Sequence, residues 1–233
     1  MIRFFNLSPK DFLRNVHPYN HQLYENLLAH HLDPESEITH NIILRPRIGT
    51  LGDSIDSKII DIKIASLIST WIDNKTDEFI HIGELYLSYE FKLSRDGFTP
   101  KKFHTLCDGK PNTVTFVKVK GTEEILGGFN PLMWSVDSYR QTKYSFIFSF
   151  KNKDNFFKDA ILSNVNQTNY AIHNHSAYGP CFNSDLVLHS SDGTKDYDVI
   201  LCSKCVYEKR IRDTNDRLSI EGYEVFQIIK RKV

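Results

Sequence analysis

The sequence carries no net charge, few cysteines and no long apolar run. Of its 233 residues, 29 are basic and 29 are acidic, so no excess of positive charge would draw the chain to nucleic-acid phosphates. No stretch approaches the roughly 18 apolar residues that a transmembrane helix needs, and the N-terminus does not resemble a secretory signal. We therefore expect the four cysteines to stay reduced, in the cytoplasm or alternatively in the nucleus. These features argue against a nucleic-acid-binding protein, an integral membrane protein and a secreted disulfide scaffold.

Glycine-rich phosphate loops are missing as well. Neither the dinucleotide-binding fingerprint nor the Walker spacing occurs in the sequence. We expect no cofactor and no bound metal. The composition itself, with 40% hydrophobic and 25% charged residues, is typical of an ordinary globular protein.

Three regions follow one another along the chain. Residues 1–32 predict two short helices, and residues 33–56 have the Pro, Gly, Asp and Ser content that is typical of a linker. Residues 57–233 predict one compact domain. Near its start Asp61 is placed to cap a helix over 62–72, whose apolar residues recur at helical spacing.

The compact domain has a pattern of short strands. Period-two alternation predicts strands at 113–120 and 125–129, and a nearly continuous apolar run predicts a buried central strand at 144–150. Further strands are predicted at 185–189, 199–207 and 224–229, and one helix near 98–107. Strands at this spacing with few helices between them indicate a mainly β (α+β) fold, a two-sheet antiparallel β-sandwich with a few peripheral helices.

A series of short motifs gives the domain a family resemblance. In chain order they are Ser94–Phe98, Phe103–His104, Cys107–Asp108, Val117–Lys118, Gly121–Thr122, Gly127–Leu132, Trp134, Ser145–Ser149, Tyr178–Pro180, Phe182, Asp185–Leu186 and Tyr223–Ile228. In this order they resemble the TLDc (TBC/LysM-associated) domain family over residues 57–233. Residues 1–32 resemble the C-terminal end of a BACK domain, a helical unit that links BTB and TLDc domains in longer proteins.

The resemblance implies a fold of two packed antiparallel sheets and a role in resistance to oxidative stress. Several family members bind the vacuolar proton-pumping ATPase and regulate its assembly, and the family brings no common catalytic mechanism. We therefore predict a non-enzymatic protein-interaction module. One departure from the family pattern is that Asn183 and Ser184 stand where many members have two glycines. Asparagine tolerates the left-handed conformation that such a glycine would adopt.

The BACK-like start supports an alternative function. Proteins that combine BTB and BACK domains deliver substrates to cullin ubiquitin ligases, so this chain could be the substrate-recognition part of such an adaptor. Without a BTB domain we expect it not to bind a cullin directly. In either case the expected partner is another protein.

Residues matched to the family motifs are the candidates for a binding surface. They are Arg95, Asp96, Gly97, Gly127, Gly128, Tyr178, Gly179, Pro180 and Glu224. Most also have a structural interpretation, because the first three have the composition of a turn. Glycine within a strand usually marks a bulge or a close contact, and Trp134 is the expected packing partner of the glycine pair.

Histidine and cysteine residues suggest an enzyme as a second alternative. His173, His175, Cys181 and Asp185 offer the residue types of a nucleophile, a base and an orienting carboxylate, but not the spacing of a known motif. Cys202 and Cys205 have zinc or redox spacing. In the strand predicted there, residues three apart would point to opposite faces, which argues against a shared metal.

Overall fold

The computed structural model describes residues 55–74, 88–93, 99–135, 138–152, 159–190, 197–214 and 217–231. The chain divides into two compact units. The first comprises residues 1–53 and 70–85, of which 70–74 are described, and the second comprises 54–69 and 86–233. All described strands belong to the second unit. The helices predicted for residues 1–32 and most of the linker predicted for residues 33–56 lie outside the described residues, so the proposed boundaries remain predictions.

Two α-helices begin at side-chain caps. Helix α1 (Ile62–Ile72) begins after Asp61, whose Oδ1 accepts hydrogen bonds from the backbone N–H groups of residues 63 and 64 at 3.0 Å. This confirms the helix and the cap predicted from the sequence. Helix α2 (Pro100–Cys107) begins after Thr99, whose hydroxyl accepts from the Lys102 N–H, and it has proline in its first turn. The N-terminus of each helix therefore follows from local sequence.

Eleven strands occur in the described residues, all paired in antiparallel fashion. They are β1 (Tyr89–Leu93), β2 (Thr113–Val119), β3 (Ile125–Asn130), β4 (Ser138–Arg140), β5 (Phe146–Phe150), β6 (Ile161–Asn164), β7 (Ile172–Asn174), β8 (Tyr178–Phe182), β9 (Leu186–His189), β10 (Val199–Leu201) and β11 (Leu218–Lys230). Strand β5 lies inside the sheet and is buried along its whole length, as its apolar run predicts.

The sheet folds into two layers because β11 changes partners along its length. The order of hydrogen-bonded strands is β6-β5-β3-β2-β11-β10-β9-β8, with β1 also on β11. The start of β11 pairs with β10, its middle with β2 and its end with β1. A register shift lies between Ile220 and Gly222 of β11. An irregularity of this kind bends a strand. The result is the predicted β-sandwich, and β4 and β7 form a separate two-stranded ribbon.

A hydrophobic core lies between the two layers. Leu126 and Ile147 from one layer and Leu188 and Ile200 from the other are completely buried in a single cluster. Trp134 joins this cluster, and its indole N–H donates to the Thr113 hydroxyl at 2.8 Å, so its one polar atom is paired. The opposite face of the first layer is also buried and carries contacting phenylalanine rings, among them Phe116, Phe148 and Phe226.

Residues 202–210 close one side of the sandwich instead of extending β10. This closing segment bonds to β6 through the backbone N–H of Glu208 and the carbonyl of Asn164 at 2.9 Å. It bonds to the second layer through the buried carboxylate of Asp185, which accepts from three backbone N–H groups at 2.8 to 3.2 Å. The strand predicted over 199–207 is therefore wrong beyond residue 201, because these N–H groups bind a side chain rather than a neighbouring strand.

Candidate functional site

Exposed aromatic rings gather at the β4–β7 ribbon. Tyr139 stacks on His173, with ring centroids 4.3 Å apart and an angle of 9° between the planes. Tyr170 meets Tyr139 edge-on at 5.5 Å, and Tyr178 lies 4.6 Å from His175. We call these five residues the histidine–tyrosine patch. Tyr139 and Tyr170 are each about half exposed, so large apolar surface faces solvent here.

The ribbon and its surroundings hold the patch in place. Tyr139 and His173 are direct partners in the β4–β7 register, which brings their rings together on one face. The opposite face of β7 is anchored by Ile172, which is fully buried in the core. The backbone of the patch residues His175 and Tyr178 is held by α2, because the His104 Nε2 hydrogen-bonds to their carbonyl oxygens at 3.2 and 3.1 Å. The patch therefore stands on elements fixed by the core.

An open groove of about 440 Å³ borders the patch. Tyr139, His173 and Tyr178 of the patch line it, as do Val187 of β9 and Leu201 of β10. The other described lining residues are Cys181, Asn183, Ser184, Cys202 and Ser203. The described residues that line the groove include no Lys, Arg, Asp or Glu. The groove therefore offers a space with both polar and apolar walls beside exposed aromatic rings, as is usual for a site that binds another molecule.

Gly127 and Gly128, two of the candidate binding residues, lie in close packing contacts inside the domain. A Cβ atom on Gly127 would lie 2.2 Å from the carbonyl oxygen of Thr115, and one on Gly128 would lie 2.6 Å from the Phe182 ring. The aromatic partner of the pair is therefore Phe182 together with Phe148, not Trp134 as predicted. Trp134 instead contacts the edge of Phe182, with centroids 6.0 Å apart.

The Tyr178–Pro180 motif contributes both surface and structure. Tyr178 belongs to the histidine–tyrosine patch, whereas Gly179 and Pro180 are buried. A Cβ on Gly179 would lie 2.7 Å from the Tyr197 ring. Pro180 stands where the β8–β9 register shifts, a position at which proline removes no regular ladder bond. Of this motif, only the tyrosine is accessible to a partner.

Glu224 anchors the segment that precedes α1. Glu224 is 2% exposed, and its carboxylate accepts from the Ser57 hydroxyl at 2.5 Å and from the Lys58 N–H at 2.9 Å. The Ser57 oxygen in turn accepts from the N–H groups of Ile59 and Ile60. Glu224 therefore has a structural environment, in which both of its carboxylate oxygens accept hydrogen bonds. Arg95, Asp96 and Gly97 lie outside the described residues.

The structure does not bring the proposed catalytic residues together as a triad. Asp185 bonds to the closing segment, and burial raises the pKa of its carboxyl group although three backbone N–H groups oppose this shift. Cys181 is buried, its thiol donates to the carbonyl of Asn183, and burial raises its pKa. A thiol with a raised pKa is a poor nucleophile because the thiolate is the reactive form. His173 and His175 do lie together, but in the patch.

The Cys202–Cys205 pair is split between core and surface. Cys202 is buried and burial raises the pKa of its thiol to about 12, whereas Cys205 is exposed. Burial likewise raises the pKa of Cys107 to about 12. Across the described residues, no three His, Cys, Asp or Glu side chains converge on a point that could hold a metal ion.

Sequence reasoning missed Tyr139 and Tyr170. The two residues are 31 positions apart and meet only because the ribbon and the 3-10 helix Thr168–Tyr170 are adjacent. The departure at Asn183 gave one usable signal. Asn183 does adopt a left-handed φ of 53°, and its side-chain amide donates to the Tyr170 carbonyl at 3.0 Å.

Comparison with known proteins identifies the domain. The sequence matches the family model described as TLDc domain over residues 54–229, about three quarters of the chain. No curated protein matches the sequence at the significance required. In the described part of the chain, no helix combines the length and apolar character needed to cross a bilayer.

Proposed function

Because the chain belongs to the TLDc domain family, we propose that it is a non-enzymatic protein-interaction module that protects cells against oxidative stress. It does so in the cytoplasm, by binding the vacuolar proton-pumping ATPase and regulating its assembly. The family supports the module, and the link to the ATPase and to stress extends to this chain what several family members do.

The histidine–tyrosine patch is the observation that carries the proposal. Tyr139 and Tyr170 expose about half of their surface although they contact one another, and a groove with polar and apolar walls lies beside them. Tyrosine is enriched at protein interfaces because it contributes a large rigid apolar surface and a hydroxyl group. This surface has the composition of a protein-binding site.

The environment of the thiols and carboxylates also favours binding over catalysis. The thiols of Cys107, Cys181 and Cys202 are buried, and burial raises their pKa values. The carboxylates of Asp185 and Glu224 accept hydrogen bonds from backbone N–H groups and a hydroxyl group. A nucleophile needs an adjacent base and access to substrate. These groups serve the fold.

The first test is affinity capture with the purified full chain from a lysate of the host cell. Soluble-sector subunits of the vacuolar ATPase should be enriched on the wild type and absent with Gly128→Arg, which places a long side chain against Phe182 and disrupts the sandwich. Cullin-pathway clients in place of ATPase subunits would favour the adaptor alternative. Equal recovery on wild type and variant would refute specific binding.

The second test concerns oxidative stress. Host cells without the gene for this chain should lose viability in hydrogen peroxide, and the wild-type chain should restore it. Gly128→Arg should not restore viability, whereas Gly222→Ala should, because a Cβ there meets no atom within 4 Å. Unchanged survival after removal of the gene would contradict the stress role.

A further inference from the structure

His104 connects helix α2 to the turn that carries two residues of the histidine–tyrosine patch. Its Nδ1 atom lies 2.9 Å from a carboxylate oxygen of Asp108, which stands four residues later at the end of α2. Its Nε2 atom lies 3.2 Å from the carbonyl oxygen of His175 and 3.1 Å from that of Tyr178. The ring is therefore held between a helix end and the backbone of the patch.

These three partners of the His104 ring nitrogens are all hydrogen-bond acceptors. A neutral imidazole carries one N–H group, so it can donate on one side of the ring and turns a lone pair toward the acceptor on the other side. The imidazolium ion carries two N–H groups and can donate on both sides. The His104 side chain is 16% exposed, which leaves little room for water to replace a missing donor.

The segment that His104 contacts is a tight turn over residues 175–178. The backbone N–H of Tyr178 donates at 2.9 Å to the carbonyl of His175, which is one of the two oxygens that face the His104 Nε2. The N–H of Ala177 donates to the His175 Nδ1 at 3.2 Å. The turn sets the His175 and Tyr178 rings 4.6 Å apart, so His104 is a positioning residue for both.

The titratable and charged groups around His104 and its partners come from three parts of the domain. They are Cys107, Asp108 and Lys110 at the end of α2, His173, His175 and Tyr178 in β7, the turn and β8, and His189 and Tyr197 in and after β9. Burial raises the pKa of Cys107 to about 12 and raises the pKa of Tyr197 as well, so both stay neutral near neutral pH. His173 and His189 meet the Tyr178 ring, with centroids 6.1 and 6.2 Å away.

From this geometry we propose that His104 is a proton-operated clamp on the histidine–tyrosine patch. With both ring nitrogens protonated, His104 donates to Asp108 on one side and holds residues 175–178 on the other. Loss of one proton leaves a single N–H group, so one of the two sides is released and His175 and Tyr178 gain freedom. The folded turn favours the charged ring, so the clamp is closed at low pH and opens as pH rises through the range in which histidine titrates, between about pH 5 and pH 8.

The test is amide hydrogen exchange of the full chain at about pH 6 and about pH 8. Rates for peptides that cover residues 175–178 are divided by the intrinsic rates at each pH, so that only protection by structure remains. The parent protein carries His175→Asn, because protonation of His175 would remove the lone pair that accepts from Ala177. An asparagine oxygen accepts from the N–H two residues later and does not titrate. Protection in this parent should fall about tenfold or more from the lower to the higher pH, as expected for loss of one hydrogen bond to a charged group.

Variants at the two ends of the clamp provide matched controls. His104→Gln in the same parent supplies an amide N–H donor that does not titrate, so protection should differ by less than about twofold between the two pH values. Asp108→Asn keeps an acceptor oxygen but removes the charge, and the fall in protection should then begin at lower pH. His173 and His189 are present in every variant, so their titration affects parent and controls equally. Protection of the buried strand β5 reports whether each variant is folded.

Three outcomes would overturn the proposal. The first is equal protection of the parent at both pH values, and the second is an equal fall in His104→Gln, which would mean that another group titrates. The third is a fall in Asp108→Asn at the same pH as in the parent, because the carboxylate would then not hold the proton on the ring. All of these measurements use the chain without a partner, so their result does not depend on capture of the vacuolar ATPase.

Discussion

Replacing Gly128 by alanine tests whether the two layers are held at the distance that the structure shows. The added methyl carbon would lie 2.6 to 2.8 Å from three atoms of the Phe182 ring, about 1 Å closer than van der Waals contact allows. Phe182 cannot move into solvent, because it is fully buried and contacts the edges of Trp134 and Tyr207. Overpacking of this kind costs about 1 to 3 kcal/mol in the free energy of unfolding.

A second substitution should relieve the strain. Phe182→Leu alone removes buried ring atoms and should cost about 1 to 2 kcal/mol. In the double variant the methyl group gains room, so the two costs should fall short of their sum by about 1 kcal/mol. Urea unfolding monitored by tryptophan fluorescence measures these free energies of unfolding, since Trp134 contacts the Phe182 ring directly.

Two other glycines provide the controls. Gly127→Ala places its methyl group 2.2 Å from a backbone oxygen, so it should be strongly destabilising and Phe148→Leu should not rescue it. Gly222→Ala meets nothing within 4 Å and should change stability by less than about 0.5 kcal/mol. Close packing of Gly128 against Phe182 is contradicted if Gly128→Ala also falls within about 0.5 kcal/mol of the wild type, or if its cost and that of Phe182→Leu simply add.

Three further predictions concern buried polar groups and thiols. Burial raises the folded-state pKa of Asp185, so the folded state binds a proton more readily than the unfolded chain does. The free energy of unfolding that this group contributes is therefore gained as pH falls and lost as pH rises through the folded pKa. Urea titrations from pH 7 to about pH 4 should therefore show the wild type gaining stability relative to Asp185→Asn, and the opposite slope would mean that the three N–H donors dominate. Ser57→Ala should lower the free energy of unfolding by about 1 to 2 kcal/mol and speed amide exchange at residues 58–60. In a Glu224→Ala background the same substitution should cost little more, and full additivity of the two costs would show that the two side chains do not act together. Of the four thiols only Cys205 is exposed, so a thiol reagent should label one cysteine rapidly in the native protein, and rapid labelling of more than one would contradict the buried positions.

Elements whose ends depend on neighbouring residues could be predicted from the sequence. Asp61 caps α1 through its own side chain, and the apolar run around 146–150 forms a buried strand because alternate faces both meet protein. The mainly β fold also follows from these local patterns. The strand beyond residue 201 could not be excluded in this way, because its backbone partner is the side chain of Asp185, 20 to 22 positions earlier in the chain.

The candidate site depended on tertiary structure to a greater extent. Sequence alone predicted that Gly127 and Gly128 sit in a strand and mark a bulge or a close contact, but only the packing of two layers makes Phe182 the partner of Gly128. The bond between Ser57 and Glu224 joins residues 167 positions apart. Tyr139 and Tyr170 likewise have no local signal, since an exposed tyrosine gains its significance from what lies beside it. Local patterns act over a few residues through hydrogen bonds and side-chain spacing, whereas a binding surface is made of neighbours that the chain brings together only when it folds.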